Sequence, residues 1–234
     1  MSGTSRGKSF LIVPAAVALA LLVYLAGAAT WAWLAADALL AAFPPPSRAS
    51  ALSPAQAQVL LKIEDPTFYA HSGLSVANGQ GVATLTSALA REVFLSGHRL
   101  GGVKGAVQTF YRSVFNCCKR IDFGRDVMAL VLDARLGKDA QLALFASTVY
   151  MGSLEGRQLV GLEQAATAYM GKPLPRLADN EFSALVAMIK APNQFHPVKH
   201  PAAYAQRVAR VDAVVSGNCR PNGWFDTDYA HCGP

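Results

Sequence analysis

No charged residue occurs between Ser9 and Ala36, a stretch that includes Phe10-Leu11-Ile12-Val13 and Leu19-Ala20-Leu21-Leu22-Val23-Tyr24-Leu25. A helix of about 20 apolar residues crosses a bilayer, because it satisfies its own backbone polar groups and offers hydrocarbon only apolar side chains. The run therefore predicts a transmembrane anchor over residues 9–36. Arg6 and Lys8 precede it, whereas Asp37 and Arg48 are the first charges after it, so the basic bias assigns residues 1–8 to the cytoplasm. Trp31 and Trp33 fall where amphipathic aromatics favour the outer interface. The competing reading is a cleaved signal peptide with Ala26-Gly27-Ala28 as its cleavage site, although such a segment usually has an apolar core of only about 7–15 residues. Both readings export the remainder of the chain.

The 234 residues suffice for one domain with a sizeable core and a short appendage. A 52% hydrophobic and 15% charged composition is apolar for a soluble domain, and the N-terminal run accounts for much of it. The net charge of +6 is spread along the chain without a basic tract, so nucleic acid is not an expected partner. A mildly basic exported surface suits an anionic membrane or a diphosphate substrate, and equally an ordinary solvated exterior. Export also permits disulfides. Cys219 and Cys232 bracket the turn-rich Arg220-Pro221-Asn222-Gly223-Trp224 and are the candidate pair. Cys117 and Cys118 are adjacent, which leaves them free, buried or bridged to the tail, and the absence of a CxxC pattern argues against a structural zinc site.

Pro44-Pro45-Pro46-Ser47 forms a stiff spacer, and Ser53-Pro54 reads as a helix N-cap followed by Pro in the first turn. These signals divide the chain into a linker at 37–55, a folded domain at 56–216 and a Cys-bracketed tail at 217–234. Helical spacing recurs in Leu85, Leu89 and Val93, in Leu142, Phe145, Ala146 and Val149, and in Phe182, Leu185, Val186 and Ile189. Gly97, Gly101, Gly102 and Gly105 predict one loop, and Gly152, Gly156 and Gly161 another. No nucleotide-binding glycine fingerprint is present, and the fold expected is mainly α. Within it, Glu64-Asp65-Pro66-Thr67-Phe68-Tyr69-Ala70-His71-Ser72-Gly73 sets paired carboxylates beside aromatics and a histidine. Repulsion between the two acids and an apolar wall of Phe68 and Tyr69 would raise one of them toward a general base. The structural alternative is a helix start, with acidic residues and Pro66 in the first turn.

That segment resembles the first motif, EDxxFxxHxG, of the family 51 peptidoglycan glycosyltransferases, the lipid II-polymerising domain of class A penicillin-binding proteins and monofunctional transglycosylases. Every specified position matches. Gln80-Gly81-Val82-Ala83-Thr84-Leu85-Thr86-Ser87-Ala88-Leu89-Ala90-Arg91 is similar to the second motif, QGGSTxTQQ with a following basic helix, but lacks its glutamine pair. Met128-Ala129-Leu130-Val131-Leu132-Asp133-Ala134-Arg135 resembles the next helix, and Phe145-Ala146-Ser147 stands where the family has YLN. Val149-Tyr150-Met151-Gly152, Gly161-Leu162-Glu163-Gln164, Tyr169-Met170-Gly171-Lys172, Glu181 with Ala184-Leu185, and Ala191-Pro192-Asn193-Gln194-Phe195-His196-Pro197 follow in the family's order. The resemblance covers about residues 56–215.

The resemblance implies a lysozyme-like helical glycosyltransferase domain on an N-terminal transmembrane helix, held on the periplasmic side of a bacterial inner membrane. It implies Glu64 as general base, with Asp65, Phe68, His71, Gly73, Thr84, Thr86, Arg91 and Arg125 around substrate. Lys119 and Arg120 are further cations for the leaving diphosphate. A structural hydrogen bond for His71 and helix capping for Thr84 and Thr86 are the bland alternatives. The main departure is at the third motif, RKxxE, where Arg125 occupies the glutamate position. Asp122 or Asp126 are the candidate replacement carboxylates, although one residue of shift turns a helical side chain by about 100°. A divalent cation, Mg or Mn, is the cofactor that the family pattern allows. The partners implied are lipid II, the nascent glycan strand, the membrane and other cell-wall synthesis proteins. There is no room for a transpeptidase domain, so penicillin binding is not expected. Two other readings follow from the departures: a degenerate saccharide- or lipid II-binding scaffold, and a lytic enzyme that uses Glu64 as an acid.

Overall fold

The computed structural model describes residues 6–44, 51–81, 83–117 and 122–233, with backbone alone for 6–11. The spacer residues Pro45, Pro46 and Ser47, together with Arg48, Val82, Cys118, Lys119 and Arg120, lie outside the described residues, as do the side chains of Arg6 and Lys8.

Ser53 starts the first helix of the folded body. Its Oγ accepts the Gln56 amide at 3.2 Å while Gln56 Oε1 accepts the Ser53 amide at 3.0 Å, a reciprocal cap with Pro54 behind it. This helix, α2 (Pro54–Glu64), ends where Asp65 turns to φ −158°, because Pro66 disfavours helical geometry in the residue before it. Glu64 thus closes a helix, which corrects the helix-start reading of Glu64-Asp65-Pro66. Further on come α3 (Leu85–Ala90), continued by a π-helical turn at Arg91–Ser96, then α4 (Gly102–Cys117), α5 (Phe123–Arg135) and α6 (Lys138–Thr148). After a hairpin follow α7 (Leu162–Ala165), α8 (Asp179–Val186) and α9 (Pro201–Val215). The architecture is mainly α, as the periodicities predict.

Two of the glycine groups do something other than make loops. Gly105 lies inside α4, where a side chain would run into the Leu100 carbonyl. Gly152, Gly156 and Gly161 belong to an antiparallel hairpin of β1 (Tyr150–Leu154) and β2 (Arg157–Val160), with Ser153 opposite Gln158 and Leu154 opposite Arg157. Its two turn residues, Glu155 and Gly156, have φ of 51° and 79°, the left-handed pair that matches strand twist in a tight hairpin. Strands this short carry too little alternation to be legible beforehand.

Two apolar clusters form the core. One joins α2, α6, α8 and α9 through Leu60, Ile63, Phe145, Phe182, Leu185 and Val211. The other joins α3, α5 and the long N-terminal helix α1 (Arg6–Leu40) through Leu89, Phe94, Met128, Leu132, Ala32 and Leu39. Helix α1 is long and apolar enough to cross a membrane. It does not stop at Ala36, however, and its two halves differ. From Ile12 to Val23 its side chains are exposed, whereas Ala28, Ala32, Ala35, Ala36 and Leu39 recur at helical spacing and are fully buried. Alanines on that face let α5 approach closely. Trp31 is part of this seam rather than an interface anchor. Its ring packs on Phe94 and Tyr111 and its indole N–H donates to the Lys104 carbonyl at 3.0 Å. Trp33 is half exposed under the Arg135 guanidinium.

Gly105→Ala tests how tightly α4 is seated. Helix propensity alone would favour Ala by about 1 kcal/mol, but the clash with the Leu100 carbonyl dominates, and a net destabilisation of about 1–3 kcal/mol is expected from thermal unfolding followed by circular dichroism in detergent.

Candidate active site

Glu64, the last residue of α2, opens into a cavity of about 410 Å³. The walls come from distant parts of the chain: Arg91 from the π-turn, Phe145 and Val149 from the end of α6, Lys190 from the segment after α8, Arg207 from α9 and Tyr229 from the tail. Gln80 also lines it, with its Oε1 buried and lacking a partner among the described residues.

Glu64 keeps some solvent contact through the cavity mouth, although protein surrounds its carboxyl. Burial pushes its pKa from an ordinary 4.5 to about 7. The nearby charges of Arg207 and Lys190 oppose the rise, and the adjacent Asp65 adds the smallest contribution. Repulsion within the acid pair is therefore a minor cause, and the apolar wall is not the one the sequence suggests. Phe68 is in the core beneath the Lys138 ammonium, and Tyr69 is largely exposed with its hydroxyl donating to Asp139 at 3.0 Å.

Arg207 and Lys190 were not singled out by motif. Arg207 is only 2% exposed, lies over the Tyr229 ring at 4.8 Å and donates to the Thr227 carbonyl at 3.0 Å. Burial lowers its pKa while the nearby Tyr229, Glu64 and Asp228 raise it. Its legible signal is spacing: Arg207, Val211 and Val214 share the buried face of α9, and a guanidinium on such a face needs a reason. Lys190 donates to Thr227 Oγ1 at 2.6 Å and to Asp228 at 2.5 Å.

Among the described residues singled out around Glu64, only Arg91 lines the cavity. The others tie together the chain that carries it. The fully buried Asp65 carboxylate accepts the Leu85 amide at 2.9 Å and the His71 Nε2 proton at 3.0 Å. That tautomer follows because His71 Nδ1 accepts the Gly73 amide at 2.9 Å. Gly73 has φ 108°, and a Cβ there would sit 2.7 Å from the Ala129 carbonyl oxygen. Thr84 Oγ1 donates to the Gly73 carbonyl at 2.6 Å and accepts the Ser87 amide, capping α3. Thr86 donates to Gln141 Oε1 at 2.7 Å in the core. For His71 and Thr84 the structural alternatives describe these bonds.

Asp122, Arg125 and Asp126 gather at the start of α5, away from the cavity lining. Asp122 caps that helix through the Gly124 and Arg125 amides and accepts the Tyr24 hydroxyl at 3.3 Å, while Arg125 pairs with Asp126 at 2.5 Å. A divalent Mg or Mn ion requires several oxygen ligands. Beside Glu64 the cavity presents Arg91, Lys190 and Arg207 instead, so its charged groups do not fit such an ion and no step is assigned to one. Among the described residues, Cys219, His231 and Cys232 form the only close metal-type cluster, and its two sulfurs are joined in a disulfide.

The Transglycosylase family model matches residues 45–215. Penicillin-binding protein 1B of Escherichia coli (strain K12) is 30% identical over 162 residues, covering 63% of this chain and 17% of that protein. Penicillin-binding protein 1B of Vibrio cholerae serotype O1 is 32% identical over 162 residues, covering 63% and 18%. Penicillin-binding protein 1A of Escherichia coli (strain K12) is 28% identical over 179 residues, covering 70% and 18%. The chain spans less than a fifth of the length of these relatives.

Two outcomes follow from the geometry. Glu64 has a native pKa above its unfolded value, so its ionisation penalises the fold above pH 7, partly between 4.5 and 7, and not at all below 4.5. Glu64→Gln should therefore raise stability at pH 8 by about 1–3 kcal/mol and change it little at pH 4, as read from thermal midpoints at the two pH values. Asp65→Asn should do the opposite at neutral pH. One carboxylate oxygen, Oδ2, takes both the Leu85 and the His71 protons, so an amide oxygen there leaves the amide NH2 at the Oδ1 position facing the His71 Nε2 proton and removes the charge that strengthens both bonds; a loss of about 2–4 kcal/mol is expected in the same assay.

Proposed function

The chain belongs to the Transglycosylase family, and on that premise we propose that it is a peptidoglycan glycosyltransferase, anchored by α1, that polymerises lipid II with Glu64 as general base. The observation that carries this reading is a carboxyl with a pKa of about 7 in a cavity whose other charged groups are cations. A base is most useful when its pKa lies near the working pH, and such groups contribute about 10²–10⁴-fold in rate.

In the proposed step, the Glu64 carboxylate removes the proton of the acceptor sugar's 4-hydroxyl. The oxygen attacks the anomeric carbon of the donor with inversion as the bond to the polyprenyl diphosphate breaks. The diphosphate leaves with the bonding electrons, and Arg91, Lys190 and Arg207 stabilise its charge. Lys190 must exchange Thr227 and Asp228 for phosphate oxygens to do so. Helix α1, long and apolar enough to cross a bilayer, supports an anchored reading in which this chemistry works at a membrane surface, as suits a lipid-linked donor. We assign residues 1–8 to the cytoplasm and the folded domain to the periplasmic face of a bacterial inner membrane, with the nascent glycan strand and other cell-wall synthesis proteins as partners.

The test is incubation of the detergent-solubilised chain with purified lipid II, with glycan chains as the readout. Wild type should form polymer with an acid limb near pH 7, with or without a chelator. Glu64→Gln should lose about 10²–10⁴-fold in turnover. Absence of polymer with Mg, Mn or chelator would favour a lipid II-binding scaffold, and shortening of preformed glycan would favour a lytic enzyme.

A further inference from the structure

The segment after α9 lies beyond the matched family region, yet it closes one side of the cavity through Thr227 and Tyr229. Cys219, close behind α9, is bonded to Cys232, so the thirteen-residue separation between them becomes a closed loop. That loop is laid on the turn that carries Gln80. The Gly79 amide donates to the Gly223 carbonyl at 3.0 Å and the Gly81 amide to the Trp224 carbonyl at 2.7 Å. At Gly79, φ 79°, a Cβ would fall 2.5 Å from Pro221 and 2.9 Å from the Tyr229 ring, so the tail comes this close only over a glycine.

Tyr229 is the point where the tail meets the catalytic helix. It is 1% exposed, and its backbone is held at φ 50°, uncommon for a residue with a side chain. Its hydroxyl lies 3.1 Å from the carbonyl oxygens of both Ile63 and Gly79, which share its one proton. Ile63 precedes Glu64, and the last carbonyls of a helix have no partner within it. One hydroxyl thus joins the end of α2 to the Gln80 turn. The same tail engages both cations that act on Glu64, Arg207 through the Thr227 carbonyl and Lys190 through Thr227 and Asp228.

We propose that the disulfide-closed tail is a positioning element of the Glu64 cavity, in which Tyr229 sets the end of α2 and the Gln80 turn and limits water around the Glu64 carboxyl. The disulfide restricts the alternatives open to the tail and so favours the seated arrangement. The kinetic part of this inference rests on Glu64 being the base, whereas the positioning part does not.

The experiment compares the full-length wild type in detergent with Tyr229→Phe and with the double variant Cys219→Ser, Cys232→Ser. Two readouts need no substrate: hydrogen exchange at the Gly79 and Gly81 amides, and titration of the Glu64 carboxyl by carbon NMR. In the double variant, exchange at these amides should accelerate at least tenfold while α5 keeps its protection. In both variants the Glu64 midpoint should move from about 7 toward 4.5, with the acid limb of the pH–rate profile moving alike and kcat falling more than KM. An unchanged Glu64 midpoint in the folded double variant overturns the proposal, whatever the exchange shows. Should wild type form no glycan while the midpoint still responds to the tail, the positioning role stands and the glycosyltransferase reading falls.

Discussion

The Asp65 carboxylate is fully buried and is held there by the protons it accepts. It takes one from the first turn of α3 and one from His71, and His71 in turn holds the Gly73 amide. Thr84 grips the Gly73 carbonyl from the other side. The chain between α2 and α3 is therefore tied at both ends by hydrogen bonds that water cannot replace, since the groups are buried. Glu64 inherits its direction from this arrangement. It stands one residue before the buried acid, at the end of the helix that Pro66 terminates.

What that direction means chemically is decided by the cavity. Two nearby cations would by themselves hold a carboxyl below its ordinary pKa, yet burial outweighs them. The result is a group poised between its two protonation states near neutrality, with the cations left to meet other negative charge. A direct Glu64–Arg207 ion pair of the usual kind would remove both features. The tail takes part in this balance, because Thr227, Asp228 and Tyr229 hold the cations and the end of α2 in register.

Helix α1 resolves a mismatch visible in its length. The uncharged run is longer than a bilayer's hydrocarbon core requires, and the surplus is used as protein core. Its alanine face meets α5, and Trp31 finds an acceptor in α4. The exposed apolar segment and the alanine face packed on α5 thus belong to one continuous helix that ends at Leu40. This also explains why Trp31, which looks like an interface residue, is buried: its indole N–H needed a partner, and Lys104 supplies one.

The sequence alone determined the mainly helical fold, the apolar N-terminal helix, the capped start of α2 and the motif that contains Glu64, and it offered Cys219 and Cys232 as a candidate pair that the fold then joins. Each rests on local chemistry: periodicity, a serine before a proline, cysteines around a turn-rich loop, and a motif of neighbouring residues. Tertiary structure decided which motif residues face the cavity and which hold it. Asp65 in the first motif and Thr84 and Thr86 in the second carry polar groups suited to substrate, but only the packed fold shows their bonds directed inward. It also brought Lys190, Arg207 and Tyr229 to Glu64 from far along the chain. Burial and the fields of such distant charges are properties of the assembled interior, so the raised pKa of Glu64 had no counterpart in the order of residues around it.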